Sequence, residues 1–147
     1  MHLSQKCQYA LRAVFDLAGH NGEEPVKIAD IAKRQAIPLR FLEQILGQLR
    51  QGGFVESRRG YAGGYLLARS PAGLSVGEII RFVEGPLGPV RCTTESTACP
   101  LTGACVFLPI WEEAKNAMAK VYDNTSFQDL VDQEARMRND VALNYAI

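Results

Sequence analysis

The chain has 147 residues, of which 47% are hydrophobic and 22% are charged, and its 16 basic and 16 acidic side chains cancel. This length suits one domain or a small domain with an extension, and no apolar run approaches the roughly 20 residues of a membrane span. The first 20 residues lack the pattern of a signal peptide. We therefore expect a cytoplasmic protein, in which four cysteines favour metal or redox chemistry over structural disulfides.

The first half of the chain predicts three helices and a hairpin. Ser4 is a suitable N-cap for an amphipathic helix over residues 4–20. A second helix runs over 27–35, and a third runs from Leu39 to Gln51 with an apolar stripe made of Leu42, Ile45, Leu46 and Leu49. A β-hairpin over 54–69 follows, and three glycines in its loop allow a flexible, projecting tip.

The second half predicts two further helices around an irregular segment. Ser75 and Glu78 form a capping box for a helix that ends at about Glu84. Residues 85–106 show no helical or strand period and hold three of the four cysteines. A long apolar stripe over 107–122 then predicts a helix, and a second capping box, Thr125 with Gln128, predicts a short one. We expect the polar tail from Asp132 to be frayed.

This order of elements is typical of a winged helix-turn-helix, in which the third helix enters the major groove of DNA. Residues 1–69 carry a net charge of +4 and residues 70–147 carry −4, as expected where one half meets a polyanion. The candidate contacts are Arg40, Glu43 and Gln44 on the third helix and Arg58, Arg59 and Tyr61 in the wing. Glu43 is assigned to base reading, because a carboxylate near phosphate is favourable only if it accepts from a cytosine amino group. Lys27, Lys33 and Arg34 are expected to be solvated charges.

Cys92, Cys99 and Cys105 are separated by more residues than zinc ligands usually are, and irregular spacing suits an iron–sulfur cluster. Two other interpretations stay open: a thiol–disulfide switch without metal, and free structural cysteines. Cys7 falls on the apolar stripe of the first helix, which favours a core position over a ligand. An enzyme or a small iron–sulfur carrier fits less well, because both histidines lie far in sequence from the cysteine loop and a carrier has no use for the 39–69 segment.

The chain resembles the Rrf2 family of bacterial transcription regulators over almost its whole length. The resemblance rests on LSQKCQYALRAVFDLA, on IADIAKRQAIPLRFLEQILGQLRQGGFVESRRGYAGGYLLAR, and on the three cysteines before PIWEEA, which are typical of the cluster-binding branch. It implies a homodimer built on the long C-terminal helix, a palindromic operator, and a [2Fe–2S] or [4Fe–4S] cluster on Cys92, Cys99 and Cys105. It also implies DNA-reading positions for Glu43 and Arg59.

This sequence departs from the family pattern at the fourth cluster ligand. Some relatives have a histidine shortly after the last cysteine, where this chain reads Val106-Phe107-Leu108, and others have a carboxylate where it reads Gln8. Glu95, Cys7 or an exogenous ligand are the remaining candidates.

We therefore expect a mainly α protein with a small β-wing that acts as a DNA-binding transcriptional regulator, expected to be a repressor, and not as an enzyme. Its expected parts are a winged helix-turn-helix domain over 1–84, a cysteine-rich cluster-binding loop over 85–106, and a dimerisation helix with a tail over 107–147. The cluster is expected to sense redox state, nitric oxide or iron–sulfur status. A cluster-free thiol switch on the same fold is the alternative.

Overall fold

A computed structural model describes residues 2–22, 24–96 and 99–146. The described residues form six α-helices and one two-stranded antiparallel sheet. The elements are α1 (Gln5–Gly19), α2 (Ile28–Gln35), α3 (Leu39–Gln51), β1 (Val55–Arg58), β2 (Gly64–Leu67), α4 (Val76–Glu84), α5 (Leu108–Asp123) and α6 (Phe127–Tyr145). Short 3-10 turns cover Pro71–Gly73 and Arg91–Thr93. The predicted winged-helix architecture is confirmed.

Helix α1 lies at the centre of the fold and contacts α2, α3, α4 and α6. Its buried face includes Ala10, Ala13 and Val14, whose small side chains let the neighbouring helices approach closely. The predicted stripe of α3 is buried against this face. Each fully buried leucine there contributes roughly 1.5–3 kcal/mol relative to an exposed one, so this packing fixes α3 on the body of the protein.

Local signals in the first 84 residues predicted their elements well. The Ser4 hydroxyl accepts a hydrogen bond from the Cys7 N–H at 3.1 Å and begins α1. Ser75 and Glu78 form the reciprocal capping box of α4. In the hairpin, Val55 pairs with Leu67 and Arg58 pairs with Gly64.

Two predictions about α6 are wrong. The capping box consists of Ser126 and Asp129 rather than Thr125 and Gln128, because the Thr125 hydroxyl donates instead to the Val121 carbonyl at 2.8 Å. The segment from Asp132 is not frayed but continues as helix to Tyr145.

The helical tail is explained by side-chain pairs one turn apart. Gln128 donates to Asp132 at 2.8 Å and Arg138 to Glu134 at 2.9 Å, and such pairs each add a few tenths of a kcal/mol to a helix. The stretch also contains neither glycine nor proline. At its beginning, Phe127 is fully buried in the main core, so α6 is anchored to the N-terminal half of the chain.

Residues 85–106 contain little regular structure, as expected, apart from the 3-10 turn at Arg91–Thr93; Thr97 and Ala98 lie outside the described residues. Within the parts of the chain that the structure describes, no helix is long and apolar enough to cross a membrane.

Candidate DNA interface and cysteine loop

The turn between α2 and α3 sets the direction of α3. Ala36 adopts the left-handed conformation with φ of 50° and ends α2, a position that glycine usually takes. The N–H of Ile37 donates to the Ala32 carbonyl at 3.0 Å, and the Ile37 side chain is only 3% exposed. Pro38 then begins α3. The junction is thus a tight helix-turn-helix held by one buried side chain.

Helix α3 divides into a buried and an exposed face. Arg40, Glu43 and Gln44, which the sequence assigned to DNA contacts, are all exposed. Gly47 lies in the middle of the same helix, and a Cβ built on it would meet nothing within 4 Å among the residues that the structure describes. The exposed face therefore presents polar side chains near a position, Gly47, that has no side chain. A DNA groove can approach such a surface closely.

The wing projects from the body because of its glycines. A Cβ on Gly63 would lie 2.4 Å from the Arg58 carbonyl oxygen, and Gly60 has φ of +105°, so only glycine fits both positions without strain. Tyr61 at the tip is 97% exposed. Arg58 and Arg59 are exposed beside it, so the three predicted wing residues lie on one projecting loop.

The wing is fastened to two other elements. Val26 and Tyr65 exchange two backbone hydrogen bonds, each 2.8 Å long. Arg50 at the end of α3 donates to the Ser57 hydroxyl of β1 at 3.1 Å. The Arg50–Ser57 hydrogen bond consequently joins the end of α3 to the wing.

Two of the cations expected to be solvated have specific partners. Lys27 places its ammonium 5.2 Å from the centre of the Tyr61 ring. Arg34 forms two hydrogen bonds with the buried Asp16 carboxylate, at 2.8 and 2.9 Å, and so connects α2 to α1. Neither the position of Lys27 beside the wing nor the role of Arg50 could be found from the sequence, because both depend on contacts between segments distant along the chain.

The three loop cysteines are accessible but not gathered. Cys92 and Cys99 are exposed, and Cys105 is half-buried. Among the described residues no group of three or more His, Cys, Asp or Glu side chains is arranged to hold a metal ion. The thiol donors fit the chemistry of an iron–sulfur cluster, so a cluster requires that the loop bring these donors together.

Both sides of Cys92 are anchored. On one side, Leu87 is 5% exposed and packs with Cys7 and Ile80 in a small second core. On the other side, the Lys115 ammonium of α5 donates to the Thr93 carbonyl at 2.7 Å. Cys92 thus lies on a short segment, residues 87–93, that connects the α1–α4 body to α5 and is called the strap below.

Cys7 occupies the core position that its apolar stripe predicted, with 0% exposure. Burial, reinforced by the charge of Glu84 and a hydrogen bond with it, raises the pKa of the Cys7 thiol to about 11. The Glu84 carboxylate also accepts from the N–H of Ser4 at 2.8 Å. A buried neutral thiol of this kind is a poor metal ligand.

The second half of the molecule keeps a large apolar surface in solvent. No described residue of α5 is buried, and its exposed side chains include Ile110 and Val121. Met137 and Val141 of α6 are likewise exposed. Exposed apolar surface on this scale is typical of a protein–protein interface.

The sequence matches a family model described as "Rrf2: Iron-dependent Transcriptional regulator" over residues 3–133. It is 36% identical over 131 residues to "Protein rrf2" of Nitratidesulfovibrio vulgaris, covering 89% of this chain and 87% of the relative. It is 34% identical over 134 residues to the HTH-type transcriptional regulator IscR of Yersinia pseudotuberculosis, covering 91% of this chain and 81% of the relative.

Solved structures of similar proteins share this fold. CymR (YrzC), the global cysteine regulator of B. subtilis, superimposes with a TM-score of 0.75 at 32% identity, covering 90% of this chain and 98% of that one. T. potens IscR gives a TM-score of 0.75 at 36% identity, with 91% and 88% coverage. The oxidized form of Staphylococcus aureus CymR gives 0.68 at 31% identity, with 89% and 96% coverage.

Proposed function

The chain belongs to the Rrf2 family of transcriptional regulators, and on this premise we propose that it binds a specific duplex DNA sequence as a cytoplasmic repressor. It is a regulator and not an enzyme, in line with its relatives. In our proposal α3 lies in the major groove, where Arg40, Glu43 and Gln44 contact bases or phosphates. Arg58, Arg59 and Tyr61 of the wing contact the neighbouring groove or backbone.

One observation carries this proposal: the hydrogen bond between Arg50 and Ser57 fastens the wing beside the exposed face of α3. Recognition by a winged helix needs both elements to reach one duplex at the same time. A loosely attached wing loses much of its binding energy to ordering, whereas a fastened wing is already in place. The exposure of all six proposed contact residues also supports the assignment.

We propose that the protein forms a homodimer through α5 and reads a palindromic operator. The unburied apolar side of α5 supports this, since a second copy of the chain would cover it, and a symmetric dimer carries two copies of α3, as two half-sites require. Half-sites of such dimers lie roughly 34 Å apart, or a multiple of that distance. Sedimentation analysis tests the dimer: Ile110→Glu should yield monomers, while Glu113→Gln, an exposed change on the same helix, should not.

We further propose that Cys92, Cys99 and Cys105 hold a [2Fe–2S] or [4Fe–4S] cluster, with Glu95 or an exogenous ligand completing it. Three accessible thiols on one loop supply the soft donors that such clusters require. The strap geometry supports a sensing role, because ordering around Cys92 acts on the Leu87 and Thr93 anchors together. The similarity to IscR proteins favours the same proposal.

A thiol switch without metal is the second candidate. It is favoured by the separate, exposed thiols of Cys92 and Cys99 and by the similarity to the CymR proteins, one of which was solved in an oxidized form. In this version two loop thiols lose two electrons and two protons to a cellular peroxide and form a disulfide. Like a cluster, the disulfide would restrain the strap.

DNA binding is tested by selecting duplexes from a random-sequence library with the purified protein and measuring the affinity of the enriched sequence. We expect Glu43→Gln to reduce the preference for the enriched duplex over a scrambled one, by about the 1–3 kcal/mol that one base contact contributes. Glu56→Gln on β1 is the matched control. Equal wild-type affinity for the enriched and scrambled duplexes at every salt concentration would contradict the proposal.

The sensing chemistry is tested by anaerobic purification. A cluster predicts brown protein with bound iron and sulfide, bleached in Cys92→Ala and unchanged in Cys7→Ala. A thiol switch predicts colourless protein even after reconstitution with iron and sulfide, together with a peroxide-induced disulfide found by mass spectrometry. Colourless protein without an inducible disulfide would contradict both versions and leave only a DNA-binding protein.

A further inference from the structure

A cleft of about 530 Å³ lies between the wing and the beginning of α2. Four cations line it, and the remaining lining residues that the structure describes are uncharged. The cations are Lys27, Arg50, Arg58 and Arg59. They come from three separate segments of the chain, so folding concentrates positive charge here in a way that the sequence order does not reveal.

The backbone brings Lys27 to the wing. Its neighbour Val26 pairs with Tyr65 through two hydrogen bonds of 2.8 Å. This approach is so close that a Cβ on Gly64 would lie 2.3 Å from the Val26 carbonyl oxygen. Glycine at position 64 therefore permits the contact, and the Lys27 ammonium comes to rest over the Tyr61 ring. A cation–π contact at such an exposed site is weak, so Lys27 remains available to an anion.

Arg50 enters the cleft from the opposite side. It belongs to the last turn of α3, the helix proposed to read bases, and one of its N–H groups donates to Ser57. A guanidinium has five N–H donors in a fixed plane, so the bond to Ser57 orients the group and leaves further donors for a bound acceptor.

We propose that this cleft holds one phosphate of the DNA backbone, with Lys27 and Arg50 as its ligands and Arg58 and Arg59 adding positive potential. The inference rests on the proposed DNA binding and extends it to two residues outside the sequence-predicted contacts. A helix in the major groove has sugar-phosphate backbone along its flanks, and phosphate contacts fix the register of the protein on the duplex. We call this site the phosphate seat. A phosphate bound there would align α3 and the wing on the same DNA strand.

The salt dependence of binding distinguishes a phosphate ligand from a base contact. Each phosphate neutralised by a cation contributes about −0.9 to the slope of log K against log salt concentration. We expect the double variant Lys27→Gln/Arg50→Gln to make the slope shallower by about 0.9 and to weaken binding several-fold, and each single variant to account for part of that change. The loss should be equal for the enriched duplex and for a scrambled duplex, because phosphate carries no sequence information.

Lys33→Gln is the matched control, since Lys33 is an exposed lysine of α2, the helix that Lys27 precedes, and does not line the cleft. An equal slope change in this control would show only the general field of the basic half and would overturn the seat. So would an unchanged slope in the double variant Lys27→Gln/Arg50→Gln. Thermal unfolding of each variant excludes misfolding, and inorganic phosphate at matched ionic strength should compete no better than chloride, as expected of a site shaped for the duplex backbone.

The two proposals fail in different ways. If the wild-type protein binds no duplex, both the proposed function and the phosphate seat are wrong. If the wild-type protein discriminates between duplexes but the double variant retains the full slope, the seat alone is wrong.

Discussion

Arg34 donates two hydrogen bonds to the carboxylate of Asp16, from Nη2 to Oδ1 at 2.8 Å and from Nε to Oδ2 at 2.9 Å. The Asp16 side chain is 1% exposed, and Arg34 is 38% exposed. Gln35 adds a third hydrogen bond to the same carboxylate at 3.1 Å. The pair fastens α2 to the central helix, so the helix-turn-helix is held by a buried charge as well as by apolar packing.

We expect Arg34→Gln to destabilise the fold by about 2–3 kcal/mol, because it leaves a buried carboxylate without its counter-charge. Asp16→Asn should cost less, since the amide stays partly hydrogen-bonded and Arg34 can turn to solvent. Urea unfolding at pH 7 measures both, with Lys33→Gln as the exposed control on α2. Equal stability of Arg34→Gln and the control would show that the ion pair contributes nothing.

The same pair illustrates where sequence-based prediction ends. Helices, the hairpin and the Ser75–Glu78 capping box follow from signals within a few residues of each other, and these were predicted. The partner of Arg34 lies 18 positions away, and that of Lys27 lies in a hairpin whose approach depends on Gly64. Charge and exposure alone could not separate either residue from a solvated lysine or arginine.

The beginning of α6 shows a second limit. By sequence, Thr125 with Gln128 matches the usual capping-box pattern, whereas the structure uses Ser126 with Asp129. Backbone bonds from Val76 to the Thr125 carbonyl and from Phe127 to the Leu74 carbonyl, at 2.9 and 3.0 Å, set the register. Those bonds in turn depend on burying Phe127, which is a tertiary effect. For the cysteine loop, the sequence supplied the donors but could not supply their arrangement.

The ion pair between Arg81 and Asp123 should make stability depend on pH in the acid range. Arg81 donates to Asp123 at 2.8 Å, and this hydrogen bond holds the pKa of Asp123 below its usual value. A carboxylate whose pKa is lower in the folded state stabilises the fold above its unfolded pKa, about 3.9, and loses that contribution as the pH falls through the folded pKa.

We therefore expect Asp123→Asn to be less stable than wild type at pH 7 by at most about 1 kcal/mol, because the pair is exposed. The difference should shrink as the pH falls below about 4. Urea unfolding at several pH values measures it, with Asp140→Asn on α6 as the control. A difference that stays constant down to pH 2 would contradict the assignment.

Cys7 and the loop cysteines should react at very different rates. Burial and Glu84 raise the pKa of Cys7 to about 11, so only about one molecule in ten thousand would carry the thiolate at pH 7. Cys92 and Cys99 are exposed. In reduced, metal-free protein we expect a disulfide reagent to label the three loop thiols rapidly and the fourth only after denaturation. Rapid labelling of all four thiols in the wild-type protein, and of all three remaining thiols in Cys92→Ala, would contradict the buried position of Cys7.

The bond from Lys115 to the Thr93 carbonyl should hold the strap on α5. Loss of one such bond to a charged group at a partly exposed site is worth about 1 kcal/mol. We expect Lys115→Met to speed amide hydrogen exchange over residues 93–95 on the order of fivefold, while Lys120→Met on the same helix leaves it unchanged. Equal exchange in both variants would mean that the strap is ordered without the lysine.

We expect glycine at position 47 to lower the stability of the fold and to raise its affinity for DNA. A glycine inside a helix costs roughly 0.5–1 kcal/mol relative to alanine, yet a Cβ on Gly47 would meet no described atom within 4 Å. The cost has no packing reason in the described part of the chain. Gly47 is half-buried and lies one helical turn from exposed Glu43 and one from exposed Arg50. Room for a closely approaching duplex is a reason that fits this position.

Gly47→Ala should therefore raise the free energy of unfolding by about 0.5–1 kcal/mol and weaken binding to the enriched duplex roughly tenfold, as an overpacked contact typically does. Gly19→Ala, in the last turn of α1 and equally unobstructed, should leave duplex binding unchanged. If Gly47→Ala is more stable and binds the duplex as tightly as wild type, then α3 does not approach DNA through this point. The axis of the helix would then have to lie farther from the groove floor than we propose, with only the longer side chains of Arg40, Glu43 and Gln44 reaching the bases.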